Sequence, residues 1–121
     1  DALNNFLMLV GEEDPQAALL VMQRLEAKNP GFGPIPAQMS LLYQKLGDYA
    51  NAIAAMRKAV AISPENLVYT YNLAILYDLN GESEGAAMLY RQLIEARYRG
   101  QELPAPVEEI QERLTFLVSN R

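Results

Sequence analysis

Apolar residues recur at intervals of three and four along most of this chain, which is the spacing of a helix face that packs against a core. In the middle of the chain the pattern predicts one helix from about Pro36 to Leu46 and a second that ends before Pro64. Gly47 can adopt the left-handed backbone that ends the first helix, and Asp48 can cap the second by accepting a bond from its free N–H groups. The stretch 33–66 therefore predicts a helix–turn–helix unit.

The unit at 33–66 is repeated at 67–100, and a fainter copy precedes it. Such a fixed period is typical of stacked supersecondary units, each of which buries its apolar face only against its neighbours. We therefore predict an all-α fold, an α-solenoid formed by a single domain over residues 1–121, with units at about 1–32, 33–66 and 67–100. The positions that correspond at an offset of 34 include Leu42 and Leu76, Tyr43 and Tyr77, Gly47 and Gly81, Ala52 and Ala86, Ala18 and Ala52, and Pro30 and Pro64.

Three further polar residues stand where they can cap predicted helices. Asn66 precedes a helix that extends to about Leu79, and Ser83 precedes the second helix of the third unit. Asp14 precedes the second helix of the first unit. The first helix of that unit is predicted at Ala2–Val10, where the pattern is apolar but matches the other units least well.

A last helix is predicted from about Pro106 to Ser119. Its apolar stripe and its polar face suit a helix that covers the exposed apolar end of a stack of repeats. We therefore predict a C-terminal capping helix at about 106–119. The stripe consists of Val107, Ile110, Leu114 and Leu117, and the polar face of Glu108, Glu109, Glu112 and Arg113.

Charge and hydropathy narrow the range of partners. The net charge is −5 and the ten Lys and Arg residues are scattered, so we expect no binding to nucleic acid or to anionic membranes. No stretch approaches the roughly 18–20 apolar residues of a membrane span, so we expect no membrane insertion.

The Ala-rich repeats favour a bacterial source. We expect a soluble protein of the bacterial cytoplasm or periplasm, because the absence of Cys fits either compartment. The chain starts without Met, so we expect either a processed product or a segment of a longer protein, and we favour the segment.

The composition gives no support for catalysis. With no His and no Cys, the usual general base and the strongest nucleophile are both missing. Prolines keep the glycines of NPGFGPIP from opening a helix as a phosphate-binding loop does, and no EF-hand spacing is present. We therefore predict that the chain is not an enzyme and takes no cofactor and no metal.

The repeat unit resembles the tetratricopeptide repeat, a helix–turn–helix unit of 34 residues. The resemblance is closest in the stretch LLYQKLGDYANAIAAMRKAVAISPEN and extends over nearly the whole chain. It implies a solenoid whose first helices line a concave face, along which peptides bind. The matching positions are Tyr43, Gly47, Tyr49, Ala52, Met56, Ala59 and Pro64 in the middle unit, and Asn72, Leu73, Ala74, Tyr77, Gly81, Ala86 and Tyr90 in the third.

The resemblance also implies which residues line the concave face, and we predict that they form a partner-binding groove. Ala37 and Leu41 stand where the family's clamp for chaperone tails has Lys and Asn, so we predict that this clamp is absent. We expect the groove to prefer an apolar or amphipathic segment that carries a Lys or Arg for its acidic residues. The predicted groove residues are Gln38, Leu41, Lys45, Tyr71, Asn72, Ile75, Asp78, Glu108 and Glu112, to which the first unit adds Leu3, Leu7 and Val10.

Some of these residues also have a simpler interpretation. Glu108 and Glu112 can form the solvated face of a capping helix. Asn72 can hydrogen-bond to backbone between neighbouring units. Outside the predicted groove, the tyrosines that we expect to pack in the core are Tyr43, Tyr77 and Tyr90.

We predict a non-catalytic protein–protein interaction scaffold that binds a peptide or helix of a partner protein, as part of a bacterial assembly or adaptor protein. One alternative is a structural module that forms a homo-oligomer through the open ends of the solenoid. The residues that would then meet another copy are Leu3, Phe6, Leu7 and Val10. Another alternative is a regulatory segment of a larger enzyme.

Overall fold

The computed structural model describes residues 14–120, and this part of the chain consists of α-helices joined by short turns, without a strand. The chain divides into two compact units, the first ending at Ile62 and the second beginning at Ser63. The helices of the first unit are α1 (Pro15–Lys28), α2 (Pro34–Lys45) and α3 (Tyr49–Ile62). The helices of the second are α4 (Leu67–Leu79), α5 (Ser83–Tyr98) and α6 (Val107–Ser119).

In the first unit, α2 packs against both α1 and α3. Ala52 on α3 has no exposed surface, and the hydroxyl of Ser40 on α2 donates a hydrogen bond of 2.7 Å to its carbonyl oxygen. Two small residues at this crossing let the helix backbones approach closely, and the bond satisfies a buried hydroxyl. The core between α1 and α2 consists of Ala18, Leu19, Met22, Ile35, Met39 and Leu42, and Tyr43 packs against it.

In the second unit, α5 packs against both α4 and α6. Ala86 on α5 has no exposed surface, as is true of its counterpart Ala52 in the first unit. The end helix α6 contributes Ile110 and Leu117 to the buried side of this unit, and both belong to its predicted apolar stripe. The other large buried side chains of the unit are Leu73, Leu76, Leu89, Tyr90 and Leu93.

The helix pairs α2–α3 and α4–α5 share one turn geometry. Gly47 and Gly81 have φ of 76° and 77°, a left-handed backbone that other residues adopt only with strain. In each turn the N–H group of the next residue reaches back to a carbonyl of the preceding helix, at 2.9 Å from Asp48 and 2.8 Å from Glu82. These bonds define a Schellman motif, which satisfies carbonyl groups that a helix end otherwise leaves unpaired. Gly100, with φ of 91°, ends α5 in the same way.

The predicted helix starts agree with the structure where a side chain forms the cap. Asp14 accepts a bond from the Ala17 N–H, Asp48 from the Asn51 N–H, and Asn66 from the Val68 and Tyr69 N–H groups. The predicted cap at Ser83 is wrong, because Ser83 is already helical and Glu82 precedes it without a side-chain cap bond. Helix α2 starts at Pro34, one half-turn before the predicted position. The predicted helix Ala2–Val10 lies outside the described residues.

Candidate functional site

A cavity of about 600 Å³ opens between the three helices of the second unit. Its size falls within the range of protein sites that hold ligands. Its walls combine aliphatic side chains, two tyrosines and three charged groups. The lining residues are Tyr71, Ile75, Asp78 and Leu79 of α4, Tyr90 of α5, and Glu109, Ile110 and Arg113 of α6.

The side of α4 that faces the cavity follows from helical spacing. Tyr71, Ile75 and Asp78 are separated by four and three positions, so their side chains lie along one face. The ends of α4 are both set by local sequence, with the Asn66 cap at its start and Gly81 after its last turn. The rotation of this face relative to the rest of the unit is fixed by the buried residues Leu73 and Leu76.

A bidentate ion pair forms the polar wall of the cavity. The Arg113 guanidinium donates from Nε to Asp78 Oδ2 at 2.7 Å and from Nη2 to Asp78 Oδ1 at 2.6 Å. The hydroxyl of Tyr90 also donates to Asp78 Oδ2, at 3.2 Å. The Asp78 side chain is 12% exposed, and that of Arg113 is 46% exposed. Parallel N–H···O bonds of this kind fix the orientation of both groups as well as their distance.

Hydrogen bonds and burial shift the pKa values of the groups at this pair. Donation from Arg113 lowers the pKa of Asp78 below its ordinary value, although burial acts in the opposite direction. The same hydrogen bonds raise the pKa of Arg113. Burial and the nearby Asp78 charge raise the pKa of Tyr90, whose hydroxyl therefore stays protonated as a donor. All three effects favour the arrangement with an ionised carboxylate and a neutral phenol.

The Arg113 guanidinium is also held by an aromatic ring. Its central carbon lies 4.6 Å from the centroid of the Phe116 ring, one helical turn further along α6. A guanidinium over a ring face gains a cation–π attraction, and its planar shape also lets it stack on the ring. Arg113 is therefore a fixed part of the wall, with two donors committed to Asp78 and one face covered by Phe116.

Glu109 differs from the other charged groups of the cavity. It lies in the first turn of α6, where negative charge is favoured by the helix dipole. Within residues 14–120, no hydrogen bond or ion pair engages its carboxylate. Its neighbour Glu108 lies in the same turn and is exposed like Glu109, but it does not line the cavity.

Some of the predicted groove residues of the second unit line the cavity, and others do not. Tyr71, Ile75 and Asp78 meet at the cavity, whereas Asn72 is half-buried and does not line it. On α6, Glu109 and Arg113 line the cavity, whereas Glu108 and Glu112 do not, although all four side chains are exposed. The predicted groove residues of the first unit all lie on α2, where Gln38 is half-buried and Leu41 and Lys45 are exposed.

Sequence reasoning missed the role of Arg113. It was grouped with the glutamates of the polar face, and Asp78 was expected to receive a cation from a ligand. The structure shows that Arg113 fills that position from within the chain. The sequence does contain an indication of this pair, because Asp78 is the acidic residue of the α4 face and Arg113 is the cationic residue of the last helix.

Two further properties concern the described residues alone. Between positions 14 and 120, no three Asp, Glu, His or Cys side chains come together in a way that could hold a metal ion. In the same part of the chain, no helix has both the length and the apolar character needed to cross a membrane.

Comparison with known proteins identifies the repeat and the fold. Residues 37–66 match the model of the family described as tetratricopeptide repeat. Among curated proteins, none matches the chain. The structure is similar to that of the type III secretion translocator chaperone SycD from Yersinia enterocolitica, with a TM-score of 0.81 and 14% sequence identity. That similarity covers 98% of this chain and 83% of the other. It confirms the predicted all-α, helical-repeat class of fold, and at this identity it shows the fold alone.

Proposed function

We propose that this chain, which carries a tetratricopeptide repeat at residues 37–66, is a non-catalytic module that binds a segment of another protein. The observation that carries the proposal is the cavity of the second unit, which has apolar walls and a fixed polar edge. Stacked helical repeats generally provide surfaces for binding rather than catalytic groups.

The apolar side chains at the cavity support a protein ligand. Leu79 is 56% exposed, and Tyr71 and Ile75 are half-buried in the absence of a partner. An inserted apolar side chain would remove this surface from water, and each Å² so buried contributes about 25 cal/mol. Tyrosine is enriched among the residues that dominate the energy of protein interfaces, because it offers a large ring and a polar end. We therefore place the main contact of the partner at Tyr71 and Ile75.

A second contact surface is proposed in the first unit. Leu41 and Lys45 are exposed on neighbouring turns of α2, and Leu41 keeps 41% of its surface accessible. Together with Gln38 they form one face of this helix, since their spacings are three and four. An apolar residue beside a flexible cation suits an amphipathic segment of a partner.

The solved structure of similar fold is described as that of a translocator chaperone. By analogy with a chaperone of this fold, we propose that this chain acts by holding part of another protein. We propose that the partner is a protein, that nucleic acid is not bound, and that the setting is a bacterial assembly or adaptor system.

Selection of random displayed peptides against the whole chain tests this function. The selected peptides would be titrated into the wild type and into the double variant Tyr71→Ala, Ile75→Ala, with circular dichroism to verify folding. The control is Met88→Ala, Tyr98→Ala, which removes an exposed aliphatic and an exposed aromatic side chain outside the cavity. We expect peptides that bind the wild type and the control but not the cavity variant. Equal binding by all three proteins would place the site elsewhere, and no selected binder at all would contradict the function.

A further inference from the structure

We infer that the segment bound in this cavity presents a basic side chain, Lys or Arg, beside apolar residues, and that Glu109 is the carboxylate that recognises it. The inference rests on the proposed function, because it specifies the ligand of the same cavity.

Asp78 is already engaged and cannot fill this role. Its two oxygens accept three hydrogen bonds, two from Arg113 and one from Tyr90. A ligand cation at Asp78 would have to displace a bidentate arginine whose guanidinium also lies over Phe116. Breaking such a pair leaves a largely buried carboxylate without its best partner, which is costly.

Glu109 has the opposite properties. Its carboxylate lines the same cavity, and within the described part of the chain no cation pairs with it. The cavity holds the carboxylates of Asp78 and Glu109 and the guanidinium of Arg113, so one negative charge remains uncompensated. A complementary positive charge gains attraction there, and an acidic ligand is disfavoured by the same field.

The apolar walls favour a basic side chain on a peptide over a small free cation. Ile75 and Ile110 line the cavity together with the ring of Tyr71. The methylene stem of Lys or Arg can lie along such surface while its charged end reaches a carboxylate. Apolar neighbours in the same peptide would then cover Leu79, which is 56% exposed.

The test uses one basic peptide obtained by the selection described above. Its dissociation constant would be measured by fluorescence anisotropy with the wild-type chain, Glu109→Gln and Glu108→Gln. The two variants lose the same charge in the same helix turn, and only Glu109 lines the cavity. We expect Glu109→Gln to weaken binding about fivefold, the scale of a partly exposed ion pair, and Glu108→Gln to have no more than a small effect.

A second peptide, with its basic residue replaced by Gln, completes a double-mutant cycle. It should bind the wild type about fivefold more weakly than the basic peptide does. Replacing Glu109 by Gln should lower its affinity little further. Equal effects of the two glutamate variants, or selected peptides without basic residues, would overturn the inference. In those cases, binding that still depends on Tyr71 and Ile75 would leave the proposed function intact, whereas loss of that dependence would remove both.

Discussion

Arg113 and Asp78 are joined by two hydrogen bonds of 2.7 and 2.6 Å although they are 35 positions apart in the chain. The pair connects α6 directly to α4, whereas the helix-to-helix packing of α6 is against α5. A helix that only shielded the apolar end of the repeats would need no such connection. Helix α6 is therefore also one wall of the cavity, and it carries the residues that give the cavity its charge.

Replacement of Arg113 by Gln should lower the free energy of unfolding by about 1 kcal/mol, because it removes a bidentate ion pair and a cation–π contact that are both partly exposed. Urea denaturation followed by circular dichroism measures the change. The control is Arg91→Gln, which removes an exposed arginine of α5. If the two variants unfold at the same urea concentration, the Arg113 pair does not stabilise the second unit.

Acid should destabilise the wild type through Asp78. The pKa of this carboxyl is lowered from 3.8 in the folded state, so the ionised form stabilises the fold at pH values above 3.8. That contribution is lost as the pH falls from 3.8 through the lowered folded-state value. Asp78→Asn lacks this dependence, and its stability should fall less steeply over the same interval in urea denaturation series at several pH values.

A control for this measurement is Glu102→Gln, which removes an exposed carboxylate after α5 and leaves Asp78 in place. The free energy of unfolding of this variant should fall with pH as steeply as that of the wild type. If the free energy of unfolding of Asp78→Asn falls with pH as steeply as that of the wild type, the pair with Arg113 does not link protonation to folding.

Enlarging Ala52 to Leu should destabilise the first unit by about 1–3 kcal/mol, because no space remains at a side chain with no exposed surface. The carbonyl of Ala52 also accepts the Ser40 hydroxyl, so a displaced backbone would lose this bond. Thermal unfolding should show a lower melting temperature for Ala52→Leu than for Ala54→Leu, an exposed position on the same helix. Equal melting temperatures would mean that Ala52 is not at the crossing of α2 and α3.

Features that depend on neighbouring residues could be predicted from the sequence. The caps Asp14, Asp48 and Asn66 and the stop at Gly81 each act within four positions, so their effect is visible in a short stretch of chain. The Ser83 prediction was wrong because the position that corresponds to the cap Asp48 is Glu82, and Ser83 is already the first residue of the helix.

The candidate site was less predictable, because it depends on how α6 is rotated. The prediction extended the repeat register across QELPAP and placed Glu108 and Glu112 inward, whereas the structure turns Glu109 and Arg113 towards the cavity. A shift of one position rotates a helical side chain by about 100°, and the connecting segment has no counterpart in the repeats that could fix its phase. The place of Tyr71 and Ile75 on one face of α4 was predictable because they lie inside the repeat itself, and their contact with a partner stays a prediction.

The shared glycine turns have a consequence for the folding rate. Three residues connect Lys45 to Tyr49 and three connect Leu79 to Ser83, so each helix pair closes a very short loop. Closing such a loop costs little chain entropy, and contacts between sequence neighbours dominate each unit. Chains of this kind have low contact order and fold in microseconds to milliseconds. The Asp78–Arg113 pair closes a loop of 35 positions, so we expect it to form after the shorter α4–α5 turn.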